Sequence, residues 1–575
     1  MDYRKLISIL IIAIPNVLFS QQIFINETLS SNDSVYVDAD SDYSDWIELY
    51  NSGTSAVNLN GYYLSDNNAS LYKWTFPNAI IPANGYLLIC ASEKDTVYPN
   101  GEIHTNFKLS SRGEYLSLLA ADSTLVDSLT IPMVFANQSY GRQPDGNTSW
   151  FTFDTPTLNQ TNNNSIITLL SPVFSSSAGF YTDSFLLSFQ SLNSGDTILY
   201  TLDGSEPDIN NIGGQIYTTK DDYTTTDTIN LSYQTYIYTS SFIIRDRSID
   251  TNKLCDIKPA YAWWSPPTSN IRKSTVVRAK AYKHNAKNSK TVTNTFFVDP
   301  LGANMYSMPI VSISTTEDNL FGYYSGIHVP GELFYDAFPL GGYWPKINAN
   351  YTQKGSDWER PAHIEYFVNG NKEINQNIGI RIAGNISRAW GRKSLRLYAK
   401  SEYDHQNKLD YPFFANHVRR GNPSEQLSSF KRLTIRNGGT NWADQLFIDA
   451  FAQSSIKHLN VDILAFSPSI VFLNGEYWGC MNLRERFDQH YLKDHYDIEE
   501  SDAVILHDHD GIFNSGLASD PAHYLDMRNF IHFGDMTIPA NIDSVMHLMD
   551  IENFAQLFML QIYINNSDWL SNNRK

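Results

Sequence analysis

At 575 residues the chain is too long for one hydrophobic core, and it is expected to divide into roughly three or four domains. Its content of 42% apolar and 13% aromatic residues can fill their cores, while only 18% of residues are charged, a composition typical of β-rich extracellular modules rather than of a cytosolic helical enzyme. The net charge of -19 argues against nucleic acid as a partner, since a phosphate backbone needs a basic stripe and the nearest approach to one, Arg388 to Arg396, is short.

Arg4 and Lys5 precede an apolar run from Leu6 to Phe19, and Ser20 follows it. This is the layout of a secretory signal peptide spanning residues 1–20, and the run is shorter than the ~20 residues a membrane span requires. Export to the cell surface or medium is therefore expected, with no membrane span left after signal removal. Cys90, Cys255 and Cys480 are odd in number and far apart, so no disulfide framework is expected.

From residue 21 to 160, short strands alternate with turn signals: Asp45 to Asn51, Leu59 to Asp66, Lys73 to Pro77, Ile81 to Ile89 and Ser139 to Gly146. Together they resemble the lamin tail domain, an immunoglobulin-like sandwich whose role is interaction or anchoring. Asp38, Asp40, Asp42 and Asp45 have the spacing of carboxylates that suit a hard cation. The run lacks the glycine and the twelfth-position glutamate of a calcium loop, which favours a solvated acidic loop. Residues 156–165 are polar and rich in turn formers and read as a linker.

Residues 166–300 read as a second sandwich. Ser171 to Tyr181, Ile198 to Pro207 and Thr275 to Tyr282 resemble the small C-terminal sandwich of chitobiases and β-hexosaminidases, with Asp203-Gly204 as its tight turn. A Thr/Tyr/Asn-rich insertion, 208–270, interrupts that pattern. Asp203 and Glu206 lie three residues apart in one turn, where they cannot face each other across a sugar, so a glycosidase pair is rejected. Surface or carbohydrate contacts are what such modules imply.

The remainder, 301–575, alternates strands with helices expected at Asn441 to His458 and Asp550 to Asn566, an α+β layout. In the second helix Asp550 is the cap, and Ile551, Phe554, Ala555, Phe558 and Ile562 form the expected buried stripe. Between them, alternating apolar residues flank Asn474-Gly475, a hairpin signal, and Asp488 caps a further helix. At the junction stands Arg484-Glu485-Arg486, a carboxylate between two guanidinium groups. The segment Arg381 to Arg388 is a strand entering a Gly/Asn/Ser turn whose amides suit phosphate oxygens, and Lys393 follows on the next strand. The bland alternative is that Lys393 and Arg396 are outward-facing strand charges. His507-Asp-His-Asp510 reads as a polar loop rather than a metal cluster, because adjacent ligands rarely close a tetrahedral site.

The stretches Glu359 to Phe367, Ile378 to Arg388, Arg392 to Ala399, Leu433 to Gly439, Val471 to Leu492 and Ile564 to Asn573 resemble the CotH family of atypical kinases. The resemblance implies ATP and Mg²⁺ as cofactors, with Arg381, Arg388 and Lys393 at the nucleotide and Glu485 as the ion-pair partner of Lys393. It also implies Asp568 as the acceptor-facing, metal-binding aspartate and Asn573 as a metal ligand, at the spacing of a kinase catalytic loop. Family members continue into a further strand and an aspartate loop, so an incomplete, inactive kinase domain is expected of a sequence ending at Lys575. The expectation is thus a multidomain exported protein: two all-β immunoglobulin-like sandwiches followed by an α+β kinase-like domain that phosphorylates Ser/Thr of surface or secreted proteins. The competing reading is a non-catalytic surface adhesion protein.

Overall fold

A computed structural model describes residues 22–566 except 112, 133, 135, 164–167, 224, 226, 263, 285, 339–340, 440–444, 508–510 and 513–519. The chain is mostly β and forms two compact units, one of residues up to Leu169 with Lys283–Asn288, the other of Leu170–Tyr282 with the rest. No helix among the described residues is long and apolar enough to cross a membrane.

The first unit is a sandwich of a six-stranded and a four-stranded sheet. Its central strand, Asp45–Asn51, is buried on both faces: Ile47 and Leu49 enter the inter-sheet core with Ile25, Leu64, Ile89, Leu116 and Leu118, while Trp46 and Glu48 face the other way and are also covered. Covering a carboxylate demands partners. Asn26 Nδ2 donates to Glu48 at 3.1 Å and the Asn159 amide at 2.5 Å, and the neighbouring Glu27 accepts from the Thr157 amide and hydroxyl. Residues 157–162, expected as linker, are thereby fastened to the sheet. The Asp38, Asp40 and Asp42 carboxylates surround Lys94 Nζ at 2.7, 3.0 and 2.9 Å. A lysine occupies the place a hard cation would take, and Asp38 is buried, so the loop is neither a calcium site nor simply solvated.

In the second unit, a five-stranded sheet with its own apolar core, including Leu187, Phe189, Val277 and Phe296, makes the small sandwich. The seven strands of a closed barrel follow: β1 (Ile310–Ser314), β2 (Arg360–Val368), β3 (Asn371–Ala383), β4 (Ser394–Tyr398), β5 (Arg432–Arg436), β6 (Phe466–Leu473) and β7 (Glu476–Arg484). They join in the order β1-β2-β3-β4-β5-β7-β6, with β6 returning parallel to β1. Alternation puts Ile380, Ile382, Leu395, Leu397, Leu433, Ile435 and Leu483 inside and sends the residues between them outward. The α+β expectation therefore holds only loosely: the barrel comes first, and most helices gather behind it.

The insertion 208–270 belongs to the barrel. Tyr217, Tyr223, Leu254, Cys255 and Ile257 enter the barrel's own core. The Glu476 carboxylate accepts the amides of Lys253, Leu254 and Cys255 at 2.8, 3.1 and 2.9 Å, and Tyr217 and Lys253 both reach Glu317. Within the second unit the insertion thus contributes to the barrel's core, while the five-stranded sheet keeps a core of its own. The Asn474-Gly475 hairpin forms with φ of 47° and 85°, the turn its sequence demands. Asp488 caps Gln489–Tyr496 and Asp550 caps Ile551–Tyr563. The stripe expected on that last helix is not buried: Ile551, Phe554 and Ile562 are exposed, and Leu560 packs instead on Ile456 and Val461.

Burial pushes the Glu48 carboxyl up to about 8, against the opposing hydrogen bond from Asn26. A carboxyl raised on folding contributes stability that is full below its unfolded value, about 4.5, and is lost as pH climbs through about 8; a shift of this size is worth on the order of a few kcal/mol. Thermal unfolding of the first unit in the full chain is therefore expected to weaken between those limits, and Glu48→Gln to flatten the slope and raise the melting temperature at pH 8. An unchanged slope in the variant would refute this assignment.

Candidate functional site

The β3–β4 connection leaves the barrel at Gly384, whose φ of 105° no side-chain-bearing residue adopts without strain. Arg388 folds back under this turn. Its Nε donates to Gly384 O at 2.6 Å and its Nη1 to Tyr351 O and Gln353 O at 3.2 and 2.8 Å, all from a buried guanidinium. Burial, then the charge of Arg396, pulls Arg388 down to about 10. Arg388 thus braces the loop through carbonyls rather than facing outward as an anion ligand.

Lys393 is almost completely buried. Its Nζ donates to Pro259 O and Trp390 O, both at 2.6 Å, and lies 4.6 Å from the centre of the Tyr351 ring. Burial drives its pKa well below the ordinary lysine value. Glu485 is equally committed. Its Oε1 receives His495 Nε2 at 2.9 Å and lies 3.0 Å from His417 Nε2, and its Oε2 accepts the Ala465 amide at 2.9 Å. Burial alone would raise this carboxyl, but the contacts of the two histidines outweigh it and hold it at about 2.

The expected Lys393–Glu485 ion pair is therefore not formed, and strand register explains why. Leu395 pairs with Ile435 and Ile435 with Leu483, so Lys393 lies before that row and Glu485 beyond it, two strands away and on the order of 15 Å apart at ordinary strand spacing. Arg381 pairs with Glu359, which also takes Lys400 at 2.6 Å. Asp568, Asn573 and Asp508 to Asp510 lie outside the described residues.

His417, Glu485 and His495 bring three possible metal-ligand atoms within 4.8 Å of one another. The Arg420 amide donates to His495 Nδ1 at 3.3 Å, which assigns the ring proton to Nε2, directed at Glu485. That nitrogen has no lone pair for an ion, and Glu485 is held in a clamp by its hydrogen bonds from His495 and the Ala465 amide, with His417 Nε2 3.0 Å from the same oxygen as His495.

What the structure does gather is arginine. Register places Arg381 opposite Arg396, Arg396 opposite Thr434 and Thr434 opposite Arg484, and adds Arg432 opposite Tyr398. All stand on the outer barrel face, because the intervening Ile380, Ile382, Leu395, Leu397, Leu433, Ile435 and Leu483 point inward. The Tyr398 ring lies 4.6 Å from the Arg381 guanidinium, 5.5 Å from that of Arg432 and 5.6 Å from Lys400 Nζ. Carboxylates sit around the edge: Glu359 for Arg381, Asp449 for Arg436 and Arg484, and Asp488 for Arg432 and Arg486. Arg396, in the middle of this face, is half-buried and has neither hydrogen bond nor ion pair among the described residues. Burial and then its charge lower the pKa of Arg486 beside it, as for Arg388. A partly desolvated guanidinium among like charges is complementary to an anion rich in oxygens, such as phosphate. In the sequence Arg396 enters only through the alternative that it and Lys393 are outward-facing strand charges. The signal was present in the repeated pattern I-R-I, L-R-L, L-T-I-R and L-R-E-R, whose arginines share one parity.

Residues 380–575 match the family model described as CotH kinase protein, and residues 20–132 match that of the Lamin Tail Domain. No curated protein matches the chain. The kinase match covers the loop, the arginine face and the hairpin, and it suggests a CotH-type kinase with protein substrates, ATP and a divalent metal.

A carboxyl lowered on folding contributes stability above its unfolded value, about 4.5 for Glu485, and loses it as pH falls through about 2. Glu485→Gln should destabilise the second unit at pH 7 by about 2–4 kcal/mol, given ~1.5–3 kcal/mol for each charge-assisted hydrogen bond weakened. The deficit should shrink on acidification toward pH 2. Denaturant unfolding followed by tryptophan fluorescence measures it, and equal stability at pH 7 would rule out the clamp.

Proposed function

We propose that this protein is an exported CotH-type kinase that transfers the γ-phosphoryl group of ATP to Ser or Thr hydroxyls of surface or secreted proteins. The observation that carries the reading is Arg396, a cation without a counter-ion among the described residues, at the centre of the arginine face and inside the segment that matches the kinase family. Phosphoryl transfer asks the protein mainly for positioned positive charge, bound metal and an oriented acceptor. Arg396, with Arg486 beside it, would hold the phosphates, and the exposed Gly384–Asn385 turn would cover them. A divalent metal held at the site would supply positive charge to offset that of the phosphates. Asp568 would orient the acceptor hydroxyl and, with Asn573, hold the metal. Lys393 then acts from beneath, fixing the Trp390 and Pro259 backbone under the loop. The N-terminal lamin tail unit and the small sandwich, which we read as of chitobiase C-terminal type, would bring the kinase to its surface substrates.

One observation favours the second reading, a non-catalytic adhesion protein: the two residues expected to form the nucleotide ion pair, Lys393 and Glu485, are both fully used by the fold. Equilibrium binding of ATP with Mg²⁺ to the full chain separates the two. On the kinase reading ATP binds, and Arg396→Met weakens it ~10-fold or more, the loss of one charge-assisted contact of ~1.5–3 kcal/mol. Asp568→Ala should leave nucleotide affinity within a few-fold and abolish any transfer to protein, as expected where chemistry and binding are separable. No nucleotide binding by the folded parent, or affinity indifferent to Arg396, would favour adhesion.

A further inference from the structure

In the first unit the strands Tyr86–Ala91 and Ile103–His104 run parallel with Cys90 opposite His104. Register partners project to the same face, and Glu102, two residues before His104 on an extended segment, joins them there. One donor atom from each of Cys90, Glu102 and His104 lies within 4.8 Å of the others, with Cys90 only 1% exposed and His104 fully buried. We propose that this cluster is a binding site for a borderline-soft divalent cation of the Zn²⁺ class, held by the Cys90 sulfur, the His104 Nε2 and the Glu102 carboxylate.

Three features support it. The neighbours of the cluster hold it as an outer shell would. His104 Nδ1 lies 2.7 Å from Ser92 Oγ, which can accept the ring proton and leave Nε2 with its lone pair, and the Tyr98 ring packs at 4.8 Å against the imidazole. Glu102 is oriented by Tyr36, whose hydroxyl donates to Oε2 at 2.6 Å, and by the Ala39 amide, which donates to Oε1 at 2.8 Å. The second feature is the thiol: Cys90 makes no side-chain hydrogen bond among the described residues, although it faces a carboxylate and an imidazole. The third is the donor set. A thiolate with an imidazole and one carboxylate suits Zn²⁺ and its relatives, whereas Ca²⁺ and Mg²⁺ take oxygen ligands. The nearby Asp38, Asp40 and Asp42 are already matched by Lys94 and remain outside the site.

His104 Nε2 also lies 2.7 Å from Glu102 Oε1. Without an ion, Nε2–H donates to that oxygen. On binding, the Cys90 thiol releases its proton to solvent, the imidazole proton moves to Nδ1 and toward Ser92 Oγ, and the sulfur, nitrogen and oxygen lone pairs fill three positions, leaving a fourth to water.

The test uses Co²⁺ as a spectroscopic substitute on the full chain stripped with chelator. One equivalent per chain should produce a near-ultraviolet thiolate-to-cobalt charge-transfer band that Zn²⁺ then displaces. The band should vanish in Cys90→Ser and persist in Cys255→Ser and Cys480→Ser. Glu102→Gln should keep the band with at least ~10-fold weaker affinity, since even outer-shell changes cost that much. Absence of the band from the parent, its survival in Cys90→Ser, or unchanged affinity in Glu102→Gln would each overturn the site. The Glu102 variant decides the matter if Cys90→Ser does not fold.

Discussion

Closing seven strands into a barrel sorts residues by parity: every second side chain must be apolar enough for a filled interior, and every other one is delivered to the outer surface. In β3, β4, β5 and β7 the inward places hold mostly isoleucine and leucine, and arginine is among the residues left to stand outside. Because the four strands are paired in fixed register, charges distant in sequence meet on one surface. The candidate phosphate site follows from that closure more than from any local motif.

Local signals were legible. Asn474-Gly475, Asp488 and Asp550 announce a turn and two caps, because each solves a backbone problem within a few residues of itself. Partnerships were not legible, because they depend on register and on what covers a face. Lys393 and Glu485 have the right chemistries for an ion pair, yet pairing rows separate them and carbonyls and imidazoles claim them first. The stripe of Ile551, Phe554 and Ile562 has the period of a buried face, but periodicity cannot say where a neighbour ends, and the contact falls on Leu560. The insertion 208–270 is rich in Thr, Tyr and Asn and interrupts the pattern around it, so its apolar residues name no partner, and yet several of them complete the barrel's interior.

The interior also shows a recurrent way of burying positive charge. Lys220, like Lys393 and Arg388, ends on backbone carbonyls, in its case those of Thr225 and Asp227. Carbonyl dipoles satisfy the donors without supplying a countercharge, so the residue is fastened to a loop while the local field stays positive. Around Arg396 this matters: a carboxylate beneath the loop would offset the charge of Arg396, and Arg388 braces the same loop without supplying one.

The seating of residues 253–255 on Glu476 has an evolutionary consequence. Modular proteins diversify by exchanging domains at linkers, and an exchange succeeds when the pieces on either side are indifferent to each other. Here the small sandwich carries, within its own sequence, a segment whose amides are satisfied by a carboxylate on the barrel's hairpin. A recombinant that inherits one without the other begins with three unsatisfied amides and a stranded charge. The two are expected to have been transmitted as one heritable block.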